Sequence, residues 1–325
     1  MNRASLAVAS LVLCALGCGR SPIVQPCAER VGEVAVLTCD ARELCEGPAF
    51  FITNQPANAL VVLDRSCSMA SLVDGRSKWS RAVEAVTQVM SEPRANLRWG
   101  LSLFPGGTVS ACDQSGPIAV PVASGQEDRI TRLLNRALDR DDLYYPGDPC
   151  GTNLAGATQQ ILDQEPFGEL GGRHHVVLIS DGRHAGCSGS GAAAIDDVHT
   201  LVGRDIRTVA VGFGGGEDTQ VLQAMGEAGG APASPEVAYH LAGIDELGDV
   251  LQRVVQMLGC QHALQIDGDL EQVRVTFDGT HPVARDRGNG EGWGYADQML
   301  SFSGRACEQL LAGEIESIEI ALDCG

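Results

Sequence analysis

The chain has 325 residues, 44% of them apolar and 20% charged, and a formal net charge of −19. That much apolar material excludes disorder as the main state, and so negative a body repels phosphate backbones, which excludes nucleic acid as a natural partner. Aromatic residues, at 4%, leave too little stacking surface for single-stranded nucleic acid, whereas the acidic balance favours divalent cations and basic surfaces.

Met1-Asn2-Arg3 followed by the apolar run 4–17 reads as a signal peptide, residues 1–17, and the run is short for a transmembrane helix. It closes on Ala15-Leu16-Gly17-Cys18, which resembles a bacterial lipobox, with Ala15 where that motif usually carries Leu. The resemblance implies cleavage before Cys18 and acylation of Cys18, hence a lipid anchor in the cell envelope. Gly19, standing where an inner-membrane retention signal would carry Asp, implies the outer membrane. The chain has twelve cysteines. Loss of Cys14 and lipidation of Cys18 leave an even number in an oxidising compartment, where disulfides are the expected state. Zinc is a poorer reading, because there is no CxxC, and a close Cys/His pair such as His184 with Cys187 supplies only two ligands.

Residues 18–57 hold three cysteines after Cys18 and no long periodic pattern, and read as a tether with a small disulfide-tied cap. Asn58 to Asp64 is a continuous apolar run of strand length, as expected of a buried parallel strand. Lys78 to Met90 sets Trp79, Ala82, Val83, Val86, Val89 and Met90 on one helical face. Leu97 to Phe104 is the next strand, and Gly116 to Ala123 an edge strand interrupted by Pro117 and Pro121. Helices follow at Glu127–Leu138 and Leu154–Leu162, a buried strand at His175–Ser180, a helix at Ala192–Val202, a strand at Ile206–Gly212, a helix at Thr219–Glu227, a strand at Val237–Leu241 and a helix at Ile244–Leu258. Strands alternating with helices define an α/β fold, a doubly wound and mostly parallel sheet over residues 58–259. Beyond Gly259 the pattern changes. Val273, Val275 and Phe277, then Ile318, Ile320 and Leu322, alternate with polar residues, so 260–325 reads as a small β-rich unit tied by disulfides.

In an open α/β sheet, ligands gather at the carboxyl ends of the strands. There stands Asp64-Arg65-Ser66-Cys67-Ser68, whose alternating oxygens can turn toward one point. Ser180-Asp181-Gly182 leaves the sheet at the same edge, and Gly151-Thr152-Asn153 precedes a helix. Three hydroxyls and two carboxylates form a hard oxygen set suited to Mg²⁺ or Mn²⁺. These segments resemble the metal-ion-dependent adhesion site of the von Willebrand factor A (vWA) family, written DxSxS with a distant Thr and a distant Asp. The resemblance covers about residues 58–259 and places the site at Asp64, Ser66, Ser68, Thr152 and Asp181. It implies that Ser66, Ser68 and Thr152 touch the metal directly, and that Asp64 and Asp181 act through water. Cys67 departs from the family's usual Gly without removing an oxygen donor.

Weaker motifs are set aside. Gly212 to Gly216 lacks GxGxxG spacing and reads as a turn. His174-His175 opens a strand, and Ser180 lacks the GxSxG elbow of a hydrolase. The function expected is adhesion or recognition of a protein or matrix ligand offering a carboxylate, without catalysis. A structural lipoprotein with a fold-stabilising metal is one alternative. A Mg²⁺-dependent phosphatase using Asp64 as nucleophile is another, but Ser66 stands where that chemistry needs a second Asp. Expected disulfides are Cys112–Cys150, which flank an insertion before Thr152, Cys67–Cys187 at one sheet edge, and Cys260–Cys324 closing the C-terminal unit. Lys78 is the single lysine among 23 basic residues. With the many Ala and Gly, this fits a GC-rich bacterial genome and resembles the secreted lipoproteins of myxobacteria.

Overall fold

The structure, a computed structural model, describes residues 28–31, 34–38 and 49–322 apart from 93, 107–109, 111, 148–149, 183–184, 188–190, 215–219, 231–238, 244 and 268. The signal peptide, Cys18, Cys27, Cys39, Cys45, His184, Gly215, Gly216 and Cys324 lie outside the described residues.

Along the chain come β1 (Ala28–Val31), β2 (Val34–Thr38), β3 (Ala49–Thr53), β4 (Ala57–Asp64), the short pair β5 (Leu72–Val73) and β6 (Arg76–Ser77), α1 (Lys78–Met90), β7 (Leu97–Phe104) and β8 (Val120–Ala123). Then follow α2 (Glu127–Arg136), α3 (Leu154–Gln164), β9 (Arg173–Ser180), α4 (Gly191–Val202), β10 (Ile206–Phe213), α5 (Gln220–Ala228), β11 (Tyr239–Ala242) and α6 (Leu247–Cys260). The chain ends with β12 (Gln261–Asp267), β13 (Val273–Phe277), β14 (His281–Val283), β15 (Gly292–Ala296), β16 (Met299–Ser303), α7 (Arg305–Ala312) and β17 (Ser317–Leu322).

The central sheet has the order β11-β10-β9-β4-β7-β8, parallel throughout except for the antiparallel edge strand β8. It is the doubly wound α/β sheet that the alternation of elements predicts. Every residue of β4 is buried because helices cover both faces. Val61 and Leu63 join Val177, Ile179, Val209 and Val211 in a core with α1 and α6, and Leu60 and Val62 join Val176, Leu178 and Ala210 in a core with α3, α4 and α5. The period of two along a strand places these sets on opposite faces. Helix α1 starts where Ser77 accepts from the Ser80 amide at 3.0 Å, a side-chain N-cap.

The C-terminal unit is less separate than its sequence pattern suggests. Strand β3, in the stretch expected to be a tether, pairs antiparallel with β17 in a sheet ordered β14-β13-β17-β3. Strand β2 runs parallel to β12 in the sheet β1-β2-β12-β16-β15. Residues on both sides of 260 share one core, from Val254 and Leu258 to Phe302, Leu310 and Ile320. At the seam, buried Asn54 donates to the carbonyls of Leu310 and Ile315 at 3.1 and 2.9 Å, and accepts from Asn96 at 2.9 Å. Gly259 lies so close to the Leu311 side chain that a Cβ there would force Leu311 to shift.

Three disulfides occur among the described residues, Cys67–Cys150, Cys112–Cys187 and Cys260–Cys307. All three correct the expected pairings. Cys112 does not meet Cys150, nor Cys67 Cys187, because the segment before Thr152 is carried across to the DxSxS loop. Cys260 ends α6 directly beside α7, so its partner is Cys307 and not Cys324. No helix among the described residues is long and apolar enough to cross a membrane.

Candidate metal centre

Asp64 is the last residue of β4, and Ser180 the last of the adjacent parallel strand β9. The Asp64 carboxylate is fully buried. It accepts from the Ser66 amide at 2.7 Å through Oδ1 and from the Ser180 hydroxyl at 2.6 Å through Oδ2. The chain then turns into a short 3-10 helix, Cys67–Ala70, which brings Ser66 Oγ and Ser68 Oγ to 3.0 Å. Ser68 Oγ donates to Asp181 Oδ1 at 2.7 Å, and the Lys78 ammonium donates to Asp181 Oδ2 at 2.7 Å. Asp64, Ser66, Ser68 and Asp181 thus form one hydrogen-bonded cluster on loops leaving neighbouring strands.

Thr152, the fifth expected donor, is buried, and its loop is stitched to the loop beyond Asp181. Its amide and carbonyl exchange hydrogen bonds with those of Ala185 at 2.9 and 3.0 Å. Next to it, Asn153 caps α3 by accepting from the Gly156 amide at 2.9 Å, and donates to the Cys112 carbonyl at 3.1 Å. The disulfide Cys67–Cys150 joins the DxSxS loop to the Thr152 loop, and Cys112–Cys187 joins the loop after β7 to the loop after β9. Arg65 reaches sideways, donating to the carbonyls of Pro105 at 2.7 Å and Leu143 at 3.2 Å. Leu72 and Leu143, on the segments flanking this cluster, are large apolar side chains left exposed.

Burial pushes the Asp64 carboxyl up to about 7, and the nearby Asp181 charge adds to the rise. Two close carboxylates, one of them buried without a cationic partner of its own, form a setting that a cation stabilises. The donor types present are hydroxyl and carboxylate oxygens, the chemistry of hard divalent ions. Among the described residues, no group of three or more His, Cys, Asp or Glu is placed to hold a metal ion. The residues therefore fit a Mg²⁺- or Mn²⁺-type ion.

Two participants escape sequence reasoning. Ser180 carries no motif of its own, and only its place before Asp181 hints at a part. Lys78 was legible as a singular lysine ten residues after Ser68, but nothing in the spacing connects it to Asp181.

The family model for the von Willebrand factor type A domain matches residues 58–253, and the chain belongs to that family. Comparison with curated proteins finds no match. Among solved structures, the chain is similar to the pilus adhesin SpaC from Lactobacillus rhamnosus GG, with 15% identity, 82% of this chain and 39% of that one covered, and a TM-score of 0.50. It is also similar to proximal thread matrix protein 1 from the mussel byssus in a form with a zinc-occupied MIDAS motif, with 16% identity, 66% and 50% of the two chains covered, and a TM-score of 0.47. Manganese-loaded TRAP of Plasmodium vivax aligns with 17% identity over 62% of this chain and 74% of that one, at a TM-score of 0.42. The chain spans about half the length of the mussel protein. Identities this low speak for the fold alone.

Proposed function

We propose that this protein is a cell-envelope lipoprotein whose vWA domain binds a divalent cation, Mg²⁺ or Mn²⁺, and uses it to recognise a carboxylate on a protein or matrix ligand. The observation that carries the reading is the cluster itself, in which Asp64, Ser66, Ser68 and Asp181 are mutually hydrogen-bonded beside the stitched Thr152 loop. Ser66, Ser68 and Thr152 would hold the ion, with Asp64 and Asp181 outside them. Ser180 and the Ser66 amide fix the orientation of Asp64. When bound, the ion supplies concentrated positive charge with room for an acidic ligand group. Exposed Leu72 and Leu143 offer apolar contact to whatever surrounds that group.

The reading is non-enzymatic. An aspartyl-phosphate mechanism from Asp64 needs a proton-transfer acid two residues on, and Ser66 cannot serve. Anchoring through acylated Cys18 in the outer membrane, as in a bacterial envelope lipoprotein, rests on the lipobox-like Ala15–Cys18. Intact mass of detergent-extracted protein should show an acylated Cys18 as the first residue.

Calorimetry tests the metal centre. The wild type should bind one Mg²⁺ or Mn²⁺ per chain with modest affinity, because hydroxyls supply most of the direct donors. Asp64→Ala should abolish the heat while leaving the fold intact by circular dichroism. Equal heats in the two proteins would place the ion elsewhere and remove the basis of the adhesion reading.

A further inference from the structure

Lys78 is the single lysine of the chain, and it occupies the first position of α1, whose opening turn contains no acidic residue. A cation there opposes the positive end of the helix dipole, so helix stability does not explain it. Its ammonium instead lies 2.7 Å from Asp181 Oδ2, with the Lys78 side chain mostly buried and that of Asp181 wholly so. The other oxygen of Asp181 accepts from Ser68. One carboxylate of the centre therefore already has a covalently tethered positive charge, while Asp64 has only neutral donors.

We propose that Lys78 is a built-in counter-cation of the metal centre, competing with the divalent ion for Asp181 and so setting its affinity low. This rests on the metal reading above. An ammonium in contact with one of two carboxylates cancels half of their charge and repels an incoming cation across a few ångströms of partly dry protein. Lysine suits this task because its compact charge rides on a flexible four-carbon stem. It can swing aside toward the solvent at the rim when the ion arrives, and return when the ion leaves. The paired carboxylate is thereby protected from standing buried and uncompensated between binding events.

A purely structural ion pair, clamping α1 to the loop after β9, predicts the opposite sign. Losing such a clamp would loosen the loop and weaken metal binding. The test is Mn²⁺ titration of the full chain by calorimetry, comparing wild type, Lys78→Met, Lys78→Arg and Asp64→Ala. Lys78→Met should bind Mn²⁺ about tenfold tighter, as removal of one nearby unit charge implies, and should melt lower than wild type in EDTA but not in saturating Mn²⁺. Lys78→Arg, which keeps the charge, should stay near wild type. Unchanged or weaker Mn²⁺ binding by Lys78→Met overturns the proposal. If Asp64→Ala still loses binding in that case, the metal reading stands alone. If neither wild type nor Lys78→Met binds Mn²⁺, both readings fall.

The single lysine also permits a measurement on unmutated protein if Lys78→Met does not fold. Acetylation of Lys78, followed by peptide mass, should speed up on adding Mn²⁺, because the ammonium is released from Asp181. An unchanged or slower rate would overturn the counter-cation role.

Discussion

Asp64 ends β4, and the chain then curls into a 3-10 turn, Cys67–Ala70, which returns Ser68 beside Ser66 at the strand's carboxyl end. What holds them is contributed by partners distant in sequence. Ser180 donates to Asp64 from 116 residues away, and its removal is informative. Ser180→Ala frees one carboxylate oxygen of Asp64 to turn, and supporting partners of this kind typically govern about 10–100-fold in metal affinity. Calorimetry with Mn²⁺ should show a loss in that range, and the melting temperature should fall modestly, since leaving a buried acceptor short of a donor costs about 1–3 kcal/mol. The spacing of DxSxS and the Asp-Gly after β9 were readable in the chain because each donor sits within four residues of a strand end. The parts of Ser180 and Lys78 were not, because they depend on which strand neighbours which.

At the scale of elements, the loops are positioned by strand order and then fixed covalently. Strand and helix boundaries followed closely from periodicity. Helix α1 and strand β7 match their expected limits, since a long one-sided apolar stripe and a continuous apolar run are strong local signals. The disulfides did not follow, although Cys67 and Cys187 were expected at one sheet edge and Cys112 and Cys150 on either side of an insertion before Thr152. Thr152 pairs with Ala185, which draws Cys187 toward Cys112 and leaves Cys150, two residues before Thr152, facing Cys67. That choice is made by a single bridge between loops and leaves no trace in spacing. Replacing Cys67 and Cys150 together by Ser should lower stability by about 2–4 kcal/mol, the usual contribution of such a link. It should also weaken Mn²⁺ binding, because the DxSxS and Thr152 loops lose their tie. Thermal melts and titration of the double variant check both, and unchanged metal affinity would show that backbone hydrogen bonds alone set the loop spacing.

At the scale of the whole molecule, the periodicity changes after Gly259, yet the core crosses that point without a break. Strand β3 was missed because Ala49–Thr53 is short and gains its partner β17 from the far end of the chain. Leu310 is fully buried where the seam closes over Asn54, so Leu310→Ala should destabilise the protein by about 2–5 kcal/mol, read by denaturant unfolding. The same seam holds buried positive and polar groups. Arg173 reaches under the sheet to the carbonyls of Gln261 and Gly259, and burial lowers its pKa to about 10. His262 packs edge-on against Phe302 with its Nε2 unpartnered. Burial first, and then the Arg173 charge, holds its pKa well below the usual histidine value. In β9, His175 is held down to about 3 by burial and by Arg173, His174 and Arg207. An imidazole whose folded pKa lies below its unfolded value of about 6.5 binds protons more readily when unfolded. Its contribution to stability is therefore complete above that pH and is lost as pH falls below it. His262→Phe keeps the ring contact with Phe302 and removes the titration. Relative to wild type, it should gain stability on going from pH 7.5 to pH 5, with the shift of Asp64 common to both proteins and cancelling in the difference. Paired thermal melts in EDTA at the two pH values measure this, and a difference that does not change with pH would mean that His262 binds its proton equally in the folded and unfolded chain.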